Sequence, residues 1–366
     1  MKTVGIAGTA KNTGKTTTAS ALLREAYRRR RRVAVTSIGY DGEELDNITG
    51  LPKPRLALEP GTLVATARKC LPPSTADIRI LEDTNIPSAL GAIIIGEVLS
   101  PGLVVVAGPN KAVEVGRVKG RLACYRPDLL MVDGALNRIA PMVETDGVIL
   151  ATGAARHADP GRLTAETESI AQIFRLPQGS TAVFADGGGV ACRRNGQWRK
   201  MPLADAQMLT VEDGRDLGGQ ILAFLASVTD GETNNPTEGL LALSRLVTTA
   251  AIRSMLSTAG PRLRGWRIFF RDPVTLLLSD NPGETDLMLR QLRESGLTPV
   301  LRRSIPLLAV TVNPFYPEYD AESQTYQPRY LPGGVLEGRL GRRLKVPVLD
   351  VKREGALALW RKAIGF

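Results

Sequence analysis

The segment "KTVGIAGTAKNTGKTTTASALLREAYRR", residues 2–29, limits what the chain can fold into more than any other. It begins with the apolar run "KTVGIAG", crosses a loop that ends in Gly14, Lys15 and Thr16, and continues with helical periodicity. A strand that feeds a helix through such a loop gathers backbone amides at the helix N-terminus, where the helix dipole adds positive charge. The result is a phosphate site, and the strand, loop and helix supply the context that a GKT match requires. Lys15 is expected to bridge the outer phosphates as a point charge, and Thr16 to set its hydroxyl on magnesium. Gly8, Thr9, Lys11, Asn12, Thr13, Gly14, Lys15, Thr16 and Thr17 are the candidate nucleotide-binding residues.

The rest of the first half alternates short apolar runs with helical stretches, the pattern of a mainly parallel sheet covered on both faces. "RVAVTSIGY", "IRILEDTN", "ALGAIIIGEVL", "GLVVVAGP", "PDLLMVDGA" and "DGVILATGA" read as strands. "PGTLVATARKCL", "KAVEVGRVKGRLACY" and "RLTAETESIAQIFRL" read as helices. Past Pro177, "VACRRNGQWRK" reads as a hairpin, because Asn195-Gly196 suits a type I′ turn. "TDGETNNPTEG" is a polar break. After it come a helix over "LLALSRLVTTAAIRSML", the apolar runs "WRIFF" and "VTLLLS", the helix "ETDLMLRQLRESG", then "LLAVTVNP", "VPVLDV" and a closing helix. The expected fold class is α/β. A nucleotide-binding domain with a mainly parallel sheet is expected over residues 1–176, a hairpin-containing connecting region over 177–238, and a smaller second α/β unit over 239–366.

Two acidic positions stand at the ends of expected strands, where open parallel sheets place their ligands. Asp133 ends "LLMVD", and its carboxylate is read as a magnesium ligand, with a cap on the next turn as the alternative. Asp41 follows the second strand in "SIGYDGEELDN", where Glu43, Glu44 and Asp46 crowd the same loop. "AGPN", ending at Asn110, reaches a ligand or simply turns the chain. "ATGAARH" follows the strand after Asp133 and ends at His157, the chain's single histidine, so catalysis by a histidine pair or histidine metal cluster is excluded.

Composition narrows the class further. With 366 residues, 43% hydrophobic and 23% charged, the chain can bury a full core and form two compact units. No run of about 18 uncharged apolar residues appears, and the N-terminus enters a strand at once, so neither a membrane span nor a signal peptide is expected and the expected location is cytoplasmic. Cys70, Cys124 and Cys192 lie far apart, which suggests neither a disulfide framework nor a zinc site. The net charge of +10 invites a nucleic-acid reading. The basic residues are nevertheless dispersed, and the one dense run, Arg28 to Arg32, falls at the end of the first helix, where cations complement the dipole. Nucleic acid is therefore not the expected partner.

Residues 311–330, "TVNPFYPEYDAESQTYQPRY", hold four of the seven tyrosines beside Pro314 and Pro317. They follow a strand and read as a loop at a sheet edge, either a recognition surface or a rigid loop that packs its own aromatics. Asn313 and Asp350 lie at nearby strand ends and are candidates for a pocket there.

In the loop "GTAKNTGKT", Thr9 stands where the common spacing puts a glycine, and Gly8 is one residue further out. This register resembles dethiobiotin synthetase and its relatives in the SIMIBI class of P-loop proteins, and "KNTGKTT" is similar to the molybdenum-cofactor adapter family of that class. The resemblance implies a P-loop NTPase domain. Lys11 is similar to the additional signature lysine of deviant Walker loops, although it lies four rather than five residues before Lys15; an exposed loop lysine is the alternative. The resemblance also implies that Asp41 orients water or binds magnesium. Lys15 and Asp41 are thus the candidate catalytic residues, and Thr16, Asp41 and Asp133 the candidate magnesium ligands. The expected cofactors are ATP and Mg2+, since no NKxD motif of GTP-specific proteins is evident. Dethiobiotin synthetase carries a substrate lysine after its second strand, and "VTSIGYDGEE" has none; its glycine-rich substrate loop has no match in "VDGALNR". In layout, and in "GTAKNTGKTT", "SIGYDGEELDN" and "VDGALNR", the chain resembles the ATP-dependent reactivase subunits of cobalamin-dependent lysine aminomutase. Such a protein uses ATP to open a mutase and release damaged cofactor. Two functions stand as expectations: an ATPase that acts on a partner enzyme, with a homodimer left open, and an ATP-dependent kinase or ligase of a small-molecule substrate.

Overall fold

In the computed structural model, which describes residues 1–39, 56–136, 139–179, 190–194, 197–201, 208–227 and 239–365, the first apolar run forms β1 (Lys2–Gly8). Every residue of β1 after Lys2 is buried, as a strand covered on both faces requires. There follow α1 (Lys15–Arg28), β2 (Val33–Ser37), β3 (Leu56–Leu58), β4 (Leu63–Ala67), β5 (Ile78–Ile86), β6 (Ile93–Val98) and β7 (Gly102–Val104). Next come α2 (Ala112–Ala123), β8 (Leu129–Ala135), β9 (Gly147–Gly153) and α3 (Pro160–Phe174). The chain goes on with β10 (Val190–Arg194), β11 (Gln197–Met201), β12 (Met208–Leu209), α4 (Val211–Ser227), β13 (Leu240–Leu243), β14 (Leu246–Val247) and α5 (Thr249–Ala259). Then follow β15 (Arg267–Phe270), α6 (Pro273–Leu277), α7 (Pro282–Glu294) and β16 (Thr298–Leu301). The last elements are β17 (Leu307–Asn313), β18 (Phe315–Asp320), β19 (Thr325–Tyr330), α8 (Val335–Arg343), β20 (Val348–Leu349) and α9 (Val351–Leu359).

Contacts divide the chain into two units, Met1–Thr167 with Pro306–Phe366, and Glu168–Ile305. The first unit is built on a nine-stranded sheet of order β20-β17-β9-β1-β8-β2-β4-β6-β5. From β20 to β4 all neighbours are parallel, and β6 and β5 complete one side with antiparallel pairing. Its core joins Val4 and Ile6 of β1 to Leu22 and Ala26 of α1, Met131 of β8, Ile149 of β9 and Trp360. This is the α/β class with a mainly parallel sheet that the alternating pattern leads to expect. The second unit carries a five-stranded sheet, β11-β10-β13-β15-β16, in which β13, β15 and β16 are parallel. Beside it, β12 and β14 pair in parallel and lead into α4 and α5, and Gly214 of α4 is where the two helices come closest to backbone contact.

The domain division differs from the expected one. Residues 306–366 are no part of a C-terminal unit 239–366, because β17 pairs along β9 and β20 along β17 inside the first sheet. The hairpin β10/β11 is likewise no connector, since β10 pairs with β13; its turn residues lie outside the described ones. Several elements also differ. "PGTLVATARKCL" forms β4, not a helix: Val64 and Thr66 are β-branched, and all five strand residues are buried between β2 and β6. "LLAL" begins the expected helix as β13, and α5 starts only at Thr249, capped by Thr248, whose hydroxyl accepts from the Ala251 amide. "VTLLLS" is helical because Asp272 caps it and Pro273 occupies its first turn. In "GLVVVAGP" only residues 102–104 pair, with β3 in a separate small sheet. Residues 311–330 are not a loop: after β17 they form the antiparallel hairpin β18/β19. No helix among the described residues is long and apolar enough to cross a membrane.

Candidate functional site

Loop 8–15 leaves the carboxyl end of β1 and turns into α1. Gly14 has φ 87° and occupies the N-cap of α1 without a capping side chain, and no acidic residue lies in the first helical turn. The helix N-terminus therefore presents its positive end to the loop with no resident carboxylate. Asn12 is left-handed as well, with φ 62°, a conformation asparagine tolerates better than most residues. The loop is tied down from several sides. The Thr9 amide donates to the Ala151 carbonyl at 2.9 Å, and its hydroxyl donates to Thr152 Oγ1 at 3.0 Å. Thr13 Oγ1 donates to the Ala10 carbonyl at 2.9 Å. Asn313 Nδ2, at the end of β17, donates to the Asn12 carbonyl at 2.7 Å. Thr18 and Thr311 share a hydroxyl contact of 2.8 Å that joins α1 to β17.

Asp133 stands beside this loop because β8 pairs with β1 and sets it level with Ile6. Its Oδ2 lies 3.0 Å from Lys15 Nζ, and both side chains retain 26% exposure. A partly desolvated ion pair at the carboxyl edge of a parallel sheet keeps a cation and a carboxylate ready for an incoming charged group. Thr16 and Thr17 are half-buried, Gly8, Thr9 and Thr13 are buried, and Lys11 is exposed. Thus the fold gathers Gly8, Thr9, Asn12, Thr13, Gly14, Lys15, Thr16, Thr17 and Asp133 around one loop. Asp41, with Glu43, Glu44 and Asp46, lies outside the described residues.

A shallow cleft, with room for about one water molecule, opens alongside and is lined by Thr13, Gly14, Thr17, Asn313, Asp350 and Lys352 among others. Asn313 and Asp350, assigned from sequence to a pocket of a separate unit, in fact flank loop 8–15. Asp350 is buried, and its Oδ1 caps α9 by accepting from the Lys352 amide at 2.9 Å. Asn313 is held from the other side too, its Oδ1 accepting from the Phe315 amide at 3.3 Å. Thr18, Thr311 and Lys352 are polar members of this site that sequence reasoning missed. For Thr311 the available signal was a polar residue at the end of a buried apolar run.

The remaining expectations resolve into structure. At Gly108, an added Cβ would lie 1.8 Å from the Ser37 carbonyl oxygen. The segment 108–110 therefore packs against the end of β2, with Gly39 N donating to Pro109 O at 3.2 Å. His157 Nε2 lies 3.3 Å from Glu166 Oε2. Burial is the main cause that holds the imidazole pKa below its ordinary value, with help from Arg162 and Arg156 against the attraction of Glu166. Glu166 accepts two hydrogen bonds from Arg156, at 3.0 and 2.6 Å. The Arg28–Arg32 run is partly structural. Arg28 and Arg29 both pair with the buried Glu25, and the Arg29 guanidinium lies 5.5 Å from the Trp360 ring centre.

Against this geometry, no protein-family model, no curated protein and no solved structure matches the chain.

Proposed function

We propose that the chain is a Mg-ATP-binding and hydrolysing P-loop protein that couples nucleotide turnover to a partner enzyme. The observation that carries this reading is the 3.0 Å approach of Lys15 to Asp133 beside an uncapped helix N-terminus. The donor set fits the cofactor: helix-end amides and Lys15 for phosphates, the Thr16 hydroxyl and the Asp133 carboxylate for magnesium. ATP supplies the transferable phosphoryl group, and magnesium neutralises its charge. Within the protein, Asp133 orients Lys15, Gly14 admits close approach of the backbone, and the Asn313 amide braces the Asn12 peptide. The cleft lined by Asn313, Asp350 and Lys352 opens beside this loop. The SIMIBI resemblance of the loop supports ATP as the ligand, and the resemblance to aminomutase reactivases supports a cobalamin-dependent mutase as the partner. The test is a Lys15→Ala variant: loss of at least about a hundredfold in ATP hydrolysis is expected, and unchanged hydrolysis would overturn the reading.

A second reading, an ATP-dependent kinase or ligase of a small anionic metabolite, is favoured by one feature of the second unit. Beyond β15 and β16 the ladder continues, with Arg302 N donating to Phe270 O at 2.8 Å and Arg303 N to Arg271 O at 3.1 Å. Three arginines thus stand at the carboxyl ends of adjacent parallel strands, where open α/β sheets receive ligands. Metabolite-dependent turnover without any protein partner distinguishes this reading from the first.

A further inference from the structure

We propose that the hairpin β18/β19 is a homodimer interface, in which its aromatic face packs on the same face of a second copy about a two-fold axis. The two strands pair only with each other among the described strands. Their register sets Phe315 opposite Tyr330, Pro317 opposite Pro328, and Tyr319 opposite Tyr326. Since side chains alternate across a strand, these six residues share one face. The rings pack edge to face within each rung, with centroids 5.5 Å apart for Phe315 and Tyr330 and 5.4 Å for Tyr319 and Tyr326. The other face carries Tyr316, Glu318, Asp320, Thr325, Gln327 and Arg329, and Arg329 Nε donates to Glu318 at 2.7 Å.

Phe315 and Pro317 of this face are half-buried, and the rest of it is open to solvent. Tyr319, Tyr326 and Tyr330 are 56%, 48% and 63% exposed, and β19 is exposed along its whole length. A two-stranded hairpin is marginal in water by itself, and a contiguous apolar face marks an association site. The order of its rungs selects the occupant. Aromatic pair, proline pair, aromatic pair reads the same from either end, so a two-fold axis through the Pro317/Pro328 rung lays each aromatic rung on an aromatic rung of the second copy. This is the self-complementarity an isologous interface needs. The ionic groups sit on the opposite face, so none is desolvated by the pairing.

Area agrees with a weak but specific dimer. At about 150–250 Å2 per aromatic side chain, and with part of each already covered, one face offers on the order of 500 Å2. Two copies then bury at most roughly 1,000 Å2, the lower bound for a specific interface. Nucleic acid fits less well, because the hairpin carries Glu318, Asp320 and Glu322 against the single cation Arg329. The inference is independent of what loop 8–15 binds.

Sedimentation velocity without nucleotide, from about 1 to 100 μM, tests it. The wild-type chain is expected to pass from its monomer mass of 39.3 kDa to twice that value across this range. Tyr319→Ser combined with Tyr326→Ser is expected to raise the dissociation constant at least fiftyfold, with an unchanged thermal transition. Gln327→Ser, on the other face, should leave it unaltered. A wild-type chain that stays monomeric throughout, or a double variant that dimerises like the wild type, would overturn the proposal.

Discussion

At the scale of single residues, Asn313 joins parts of the chain that are far apart in sequence. Its amide reaches Asn12 across a separation of 301 residues and holds a left-handed peptide beside Lys15. Asn313→Ala removes a neutral hydrogen bond worth about 1 kcal/mol, so ATP affinity is expected to fall roughly fivefold, as read by calorimetric titration. The same residue shows the limit of sequence reading. Gly8, Thr9, Asn12, Gly14, Lys15 and Thr16 are legible as one group because each stands near the next in sequence. Asp133 was legible because β8 is a continuous apolar run that ends in a carboxylate. Asn313 and Asp350 were noticed as strand ends, but nothing in the order of residues tells which sheet a strand will join, so their place beside the loop could not be read.

At the scale of elements, helices with a clear polar face and a turn signal were legible, as α2, α3 and α7 show. Short buried segments were not, because a run such as "LLAL" or "LVATA" has neither the length nor the alternation that separates strand from helix. Their identity comes from neighbours: β13 lies between β10 and β15, and β4 between β2 and β6. Helix packing in the second unit carries its own prediction. A Cβ at Gly214 of α4 would stand 2.1 Å from the Ala251 carbonyl of α5, and one at Gly218 would stand 2.7 Å from Thr258 Cβ. Neither backbone can yield without separating the helices. Gly214→Ala is expected to destabilise this unit by about 2 kcal/mol, measured by denaturant unfolding that follows the α4/α5 pair.

At the scale of the whole molecule, the first unit is assembled from two stretches of chain with the second unit inserted between them. A chain ending at residue 305 lacks β17 and β20 and with them Thr311, Asn313, Asp350 and Lys352 of the cleft. It is therefore expected to lose ATP binding altogether, whereas a first domain complete at residue 176 would retain it; equilibrium binding to the truncated chain decides between them. The second unit begins at Glu168, inside the run that reads as the closing helix of the first domain, and the return to the first sheet leaves no mark in composition, since "LLAVTVNP" has the texture of any buried strand.

That insertion also sets a timetable for synthesis. When β9 leaves the ribosome, the strand that will lie along it, β17, has not yet been made. At elongation rates of about 5–20 residues per second, the intervening unit occupies on the order of ten seconds. For that time β9, whose seven residues are all buried in the finished fold, presents an apolar strand edge to solvent. The nascent chain is thus a natural client for a chaperone that covers sheet edges, and slow translation of residues 168–305 lengthens the exposure.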